Sequence, residues 1–148
     1  MNLDKYPVVA RNDHMSYEFY SEGPKGLIRK IILYKKLDWD KNVFSLGFGD
    51  WDEKTQNVND KVNSNNNDRD KILATVAATV LDFAKRHPGA IVYARGATPS
   101  RTRLYQMGIR AHWIQINMQF DIRGYRQGKW ETFRLGNNYE AFTVRIKE

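Results

Sequence analysis

Apolar and polar side chains begin to alternate at Ser16, where Tyr17 and Phe19 flank Glu18. A period of two predicts a strand. Ser21-Glu-Gly-Pro-Lys-Gly26 is a turn signal, and Leu27 to Tyr34 is rich in isoleucine and leucine, so the two runs predict a β-hairpin. Lys35, Lys36, Asp38 and Asp40 end it. Val43-Phe-Ser-Leu-Gly-Phe48 alternates again, with Phe44, Leu46 and Phe48 on one face, and predicts a third strand. Three consecutive strands with short connections favour an antiparallel meander. The first dozen residues have no clear period, and residues 1–14 read as a flexible lead-in.

Residues 50–67 form a long polar loop that includes Asn63-Ser-Asn-Asn-Asn67, either functional or disordered, with Val58 and Val62 as a candidate edge strand. The period then changes. Ile72, Leu73, Val76, Ala77, Val80, Leu81 and Ala84 recur at three-to-four spacing and predict a helix over 69–87. Asn67 or Asp68 can cap it, Asp70 and the Lys85-Arg86-His87 run suit its dipole, and Pro88-Gly89 ends it. Ile91, Val92 and Tyr93 predict a buried strand at 90–95, which Gly96 breaks. Thr98 as cap and Pro99 at the first position open a helix over 98–107, with Gly108 as a left-handed stop.

From Ile109 a helical stripe and a strand alternation compete, and a short helical segment followed by a strand from about Met118 reconciles them. Gly124 to Lys129 reads as a second hairpin turn, with Trp130 to Phe133 pairing back. Gly136-Asn-Asn138 is another turn, and Tyr139 to Ile146 predicts a last strand with Phe142, Val144 and Ile146 on one face. Together the elements predict a single α+β domain over 1–148. An antiparallel sheet, N-terminal meander plus C-terminal hairpin strands, is packed by the long helix 69–87 and the shorter helix 98–107.

Composition narrows the chemistry. The 148 residues can bury a real core, and 41% apolar residues with 13% aromatics argue against disorder. Cysteine is absent, which excludes disulfides, thiol nucleophiles and cysteine-bound zinc or iron–sulfur centres. Asp4, Lys5, Arg11 and Asp13 leave no apolar segment for a signal peptide, and no run is long enough to span a bilayer. A cytoplasmic chain without a membrane partner is the expectation.

The net charge of +7 is regional. Residues 1–68 hold ten Lys or Arg against eleven Asp or Glu, whereas residues 69–148 hold fourteen against six. Between Asp82 and Asp121 there is no acid, and Lys85, Arg86, Arg95, Arg101, Arg103 and Arg110 supply six positive charges. Such a field favours an anionic partner, or serves as a solvated basic face.

Anion recognition at 95–110 is the leading functional expectation. Thr98 and Ser100 offer hydroxyls at a helix N-terminus, and Arg95, Arg101, Arg103 and Arg110 offer forks for a phosphate. The partner would be nucleic acid or a phosphorylated ligand, and the chain a non-enzymatic module. Capping alone also accounts for Thr98-Pro99-Ser100, and the arginines could instead pair with Glu18, Glu22 or Asp50. Tyr105, Trp113, Tyr125 with Arg126, and Trp130 are the rings available for base stacking, as in a toxin-like ribonuclease or its partner; core packing is the alternative. His14, His87 and His112 lack metal-ligand spacing. Asp38-Trp-Asp40 and Asp50-Trp-Asp-Glu53 lack the glycine and glutamate of a calcium loop, so no metal is expected.

Two resemblances bear on this. Asn67-Asp-Arg-Asp-Lys-Ile-Leu-Ala-Thr-Val-Ala-Ala-Thr-Val80, Gly96-Ala-Thr-Pro-Ser-Arg-Thr-Arg-Leu-Tyr-Gln-Met-Gly-Ile109 and Asn138-Tyr-Glu-Ala-Phe142 resemble a small bacterial family, mostly from Bacteroidetes, known as a domain of unknown function. Ser21-Glu-Gly-Pro-Lys-Gly26 and Phe48-Gly-Asp50 fit it too. The resemblance implies a stand-alone bacterial domain with 67–110 as its hallmark. Separately, the helix, strand and helix ending in Leu104-Tyr105-Gln-Met-Gly108-Ile109 are similar to the second half of the acetyl-coenzyme-A-dependent N-acetyltransferases. That likeness implies coenzyme A as cofactor and Tyr105 as general acid. Against it, Tyr105 to Gly108 is one residue short of that pattern, and Asn65-Asn-Asn-Asp-Arg-Asp70 has no glycine and carries two carboxylates where a pyrophosphate would sit.

Overall fold

The computed structural model describes residues 4–37, 42–60 and 65–147. Asp38, Asp40, Val62 and the first two residues of the asparagine run, to which roles were given above, lie outside the described residues. Strands β1 (Val9–Arg11), β2 (Ser16–Gly23), β3 (Gly26–Lys36) and β4 (Val43–Asp52) form the antiparallel meander, and β5 (Asn57–Asn59) adds to the outer half of β4. Then follow α1 (Arg69–Arg86), β6 (Ile91–Ala94), α2 (Pro99–Ala111), α3 (Trp113–Gln119), β7 (Phe120–Arg126), β8 (Lys129–Thr132) and β9 (Ala141–Ile146). The nine strands among the described residues join one sheet in the order β1-β2-β3-β4-β6-β9-β7-β8, with β5 on β4.

One joint departs from an antiparallel sheet. β4 and β6 pair in parallel, Val43 to Leu46 opposite Ile91 to Ala94. A parallel neighbour needs a crossover, and α1 supplies it.

The register puts Tyr17, Phe19 and Ser21 of β2 on the same face as Ile28, Lys30, Ile32 and Tyr34 of β3 and Phe44, Leu46, Phe48 and Asp50 of β4. Across the parallel joint this face continues through Val92, Ala94, Phe142, Val144 and Ile122. It carries the helices. Phe83 of α1 is fully buried, stacked 4.2 Å from Tyr34 and edge-on to Phe44 at 5.1 Å. Tyr6 belongs to this core as well, since its amide donates to Thr75 Oγ1 at 2.9 Å and its ring stacks on Phe19. On the opposite face Glu18 accepts from Arg29 and Arg11, and Arg29 lies 4.9 Å over the Trp51 ring.

Two turns differ from expectation. Gly108 does not stop α2, which runs on to Ala111; the glycine lies inside the helix, facing Leu73 of α1 at close range. Gly124 lies inside β7 rather than in a turn. The second hairpin turns only at Gln127 and Gly128, whose φ angles of 50° and 77° suit a two-residue reversal. Gln106 of α2 then fixes the return of the chain: its Nε2 donates to Asn137 O at 2.6 Å, and its Oε1 accepts from the Tyr139 amide at 2.9 Å.

Candidate functional site

The site begins where β6 gives out. β4 runs on to Asp52 after β6 ends at Ala94, so the second half of β4 loses that neighbour. The chain bends through Gly96 and brings the first turn of α2 alongside. A Cβ on Gly96 would stand 2.5 Å from Arg101 Cβ and 2.5 Å from the Thr102 nitrogen, so any side chain there would push the helix away. Thr98 caps α2 as expected, accepting from the Arg101 amide at 3.2 Å with Pro99 in the first turn. Arg101 is thereby buried against β4. Its Nη1 donates to Phe48 O at 3.5 Å, and its guanidinium lies 5.0 Å from the Phe48 ring centre.

The opposite wall is the entrance to α1. Asp68 is the cap residue, yet its carboxylate makes no cap hydrogen bond. It accepts instead from the hydroxyls of Ser21 and Tyr6, both at 2.5 Å. Burial and this carboxylate together raise the Tyr6 phenol above its ordinary value. Asn66 is buried beside it, accepting from the Lys25 amide and donating to Gly26 O and Ser21 Oγ. The end of the polar segment is thus held on the β2–β3 hairpin.

Between these walls lies a cleft of about 300 Å³. Phe48, Ile72, Leu73, Val76 and Leu104 give it an apolar floor, while Lys30, Arg69, Ser100 and Arg101 give it cationic and hydroxyl groups. Lys30 is only 4% exposed and forms an ion pair with Asp50, its cross-strand partner. Tyr105 closes the inner end, where burial pushes its hydroxyl up to about 12 despite the opposing pull of Arg101. At neutral pH it is a protonated phenol.

The expected anion set is divided by the fold. Ser100 and Arg101 line the cleft. Arg95, Thr98 and Arg103 line a separate hollow of about 350 Å³ with Tyr139 and Glu140. Among the described residues neither Arg95 nor Arg103 forms an ion pair, and Glu18 and Asp50 pair with Arg11, Arg29 and Lys30 instead. Arg110 lines neither space; it donates to Asn137 O at 2.9 Å and Asn138 Oδ1 at 3.1 Å. Of the rings considered for stacking, Tyr105 is buried, Trp113 packs 4.9 Å from Phe133, and Tyr125 meets Trp130 at 5.3 Å.

Lys30 is a cleft residue that sequence reading passed over, and its partner Asp50 was considered only as an acid for the arginines or as part of a carboxylate cluster. Their signal was phase: Lys30 alternates with Ile28, Ile32 and Tyr34, and Asp50 follows Phe44, Leu46 and Phe48, so both charges fall on the core side. Elsewhere, Asp82 accepts from Tyr17 at 2.6 Å and lies 3.0 Å from His14 Nδ1. Burial works to raise this carboxyl, but Tyr17 and His14 outweigh it and hold it below its ordinary value. His87 ends α1 with its ring 4.5 Å from Phe83. Among the described residues no three His, Asp or Glu side chains gather as a metal site.

These features define an α+β domain with a charged cleft at a parallel joint. A family model described as a family of unknown function (DUF6934) matches residues 2–147, and the chain belongs to that family. No curated protein and no solved structure matches it. Among the described residues no helix is long and apolar enough to cross a membrane.

Proposed function

We propose that this domain is an anion-recognising module that takes a small phosphorylated ligand in the α1–α2 cleft. The observation that carries the reading is the placement of Lys30 and Arg101, both buried, beside an apolar floor at the carboxyl ends of β4 and β6. In open sheets with parallel strands, ligands bind in the crevice outside those ends. Arg101 presents a planar fork that suits phosphate oxygens, Ser100 adds a hydroxyl donor, and Arg69 adds charge at the rim. A concave space of this size fits a small molecule better than a nucleic-acid strand.

The test is calorimetric titration with inorganic phosphate over a salt series, in parallel with RNA, DNA and heparin. Phosphate affinity that falls with salt and is lost in Arg101→Lys supports the reading. No phosphate binding would overturn it. Polyanion binding lost in Arg95→Ala and Arg103→Ala, but kept in Arg101→Lys, would move recognition to the other hollow and to nucleic acid.

A second reading is coenzyme-A-dependent acyl transfer, favoured by Tyr105 at the inner end of the cleft. The Tyr105 hydroxyl is protonated at neutral pH, the state a general acid needs, but burial that raises it to about 12 also makes it a weak donor to a thiolate. A melting temperature raised by millimolar coenzyme A, and acyl transfer lost in Tyr105→Phe, would favour this reading; no thermal shift would remove it.

A further inference from the structure

We infer that the ligand carries a short unbranched aliphatic chain next to its phosphate and that this chain ends inside the protein, an inference that rests on the phosphate reading above. Beside the cleft lies a second, mostly apolar space of about 80 Å³ that is not fully enclosed. Leu73, Val76 and Tyr105 belong to the walls of both spaces, so the two adjoin across these three side chains. The charged side chains Lys30, Asp68, Arg69 and Arg101, with Ser100 and Asn65 to Asn67, line the outer space, whereas His112 and the shared Tyr105 are the polar side chains of the other, whose walls are otherwise apolar.

The inner cavity exists because three neighbouring elements present small residues to one point. Ala77 comes from α1, Ala94 from the end of β6, and Gly108 from the middle of α2. Protein interiors are close-packed, so a void walled by Leu46, Val80, Ile109 and Ile116 is not what a core of these residues makes by default. Gly108 is informative here. Glycine is unfavourable inside a helix, and a methyl at this position would stand 3.5 Å from Leu73, an ordinary contact. Packing against Leu73 therefore does not demand the glycine.

The lining decides the chemistry. Apolar cavities stay dry and take apolar guests. At about 30 Å³ for each water-sized group the space holds two or three carbons. A phosphate held at Arg101 and Lys30 with a two- or three-carbon chain pointing past Tyr105 would fill both spaces. The predicted class is a short-chain alkyl or acyl phosphate, or a larger phosphate ester that presents such a group at one end.

The experiment is calorimetric titration with inorganic phosphate and with methyl, ethyl, propyl and hexyl phosphate. Affinity should rise about fourfold per methylene as far as propyl, with no further gain at hexyl. Ala77→Leu fills the cavity from a helical position; it should bind inorganic phosphate as wild type does and flatten the series. Gly108→Ala adds one methyl and suits the helix, and should shorten the rise by one carbon. A flat series in the wild type overturns the inference and leaves the phosphate reading standing. A rise that persists in both variants places the chain elsewhere and also overturns it. If neither inorganic phosphate nor any ester binds, the phosphate reading falls and takes this inference with it.

Discussion

The guanidinium carbon of Arg101 lies 5.0 Å from the Phe48 ring centre, and the same side chain donates to the Phe48 carbonyl. One residue of α2 thus serves the strand edge that β6 leaves open. A double-mutant cycle with Arg101→Ala and Phe48→Leu should give a coupling of about 0.5 to 2 kcal/mol in urea unfolding. Effects that simply add would mean the two groups do not interact.

Gly96 sets that contact by letting the loop pass against α2. Gly96→Ala should cost roughly 1 to 3 kcal/mol, because backbone and not a mobile side chain must move. Gly136→Ala is the control, since a Cβ there meets nothing within 4 Å. Equal melting temperatures for the two variants would refute the close approach.

Gln106 satisfies one carbonyl and one buried amide of the 137–139 segment. Gln106→Ala should lose about 1 to 3 kcal/mol, the usual penalty for stranding buried polar groups. Arg110→Ala removes exposed hydrogen bonds to the same segment and should change stability by less than about 0.5 kcal/mol. Chemical denaturation of both variants checks the order.

Acid sensitivity should trace in part to Glu18, whose carboxyl is held below its ordinary value by hydrogen bonds from Arg29, against burial, with Arg11 adding to the effect. With the folded value depressed, the stabilisation is complete above 4.5 and is lost as pH falls through the lower folded value. Glu18→Gln should therefore be less stable than wild type at neutral pH, with the gap closing as pH drops below 4.5. A gap constant from neutral pH down to the acid limb would contradict it.

Alkali acts through the buried phenols. Burial raises Tyr17 and Tyr34 well above their ordinary value, and raises Tyr105 to about 12. Raised folded values mean stability that is full below 10 and is lost as pH climbs through them. While the protein stays folded at pH 11, at least three of its eight tyrosines should keep their protons in an ultraviolet titration. Fewer than three would mean these rings are hydrated.

The sequence made the local elements legible because each has one dominant period. The α1 stripe and the β2–β3 alternation point to the same faces that the fold buries. The parallel joint was hidden because nothing in Val43–Leu46 or Ile91–Ala94 encodes a partner nearly fifty residues away. Gly108 and Gly124 misled because glycine signals a turn locally: the Tyr139 ring, distant in sequence, lies where a Cβ on Gly124 would stand, and Gly108 is accommodated inside α2. The arginine-rich stretch drew attention to the right helix. It could not say that Arg101 would turn inward while Arg103 stayed outside, nor that Lys30 would meet Arg101 at the same cleft.

The insertion of β9 between β6 and β7 has a consequence for biosynthesis. As the chain leaves the ribosome, the β1–β4 meander can form from neighbours in sequence, as can the β7–β8 hairpin. Among the described residues β6 bonds only to β4 and β9, and β7 reaches β6 only through β9. Within the sheet the two halves are therefore joined only when residues 141–146 are in place. A nascent chain stopped short of Ala141 would hold an unfinished edge along β6.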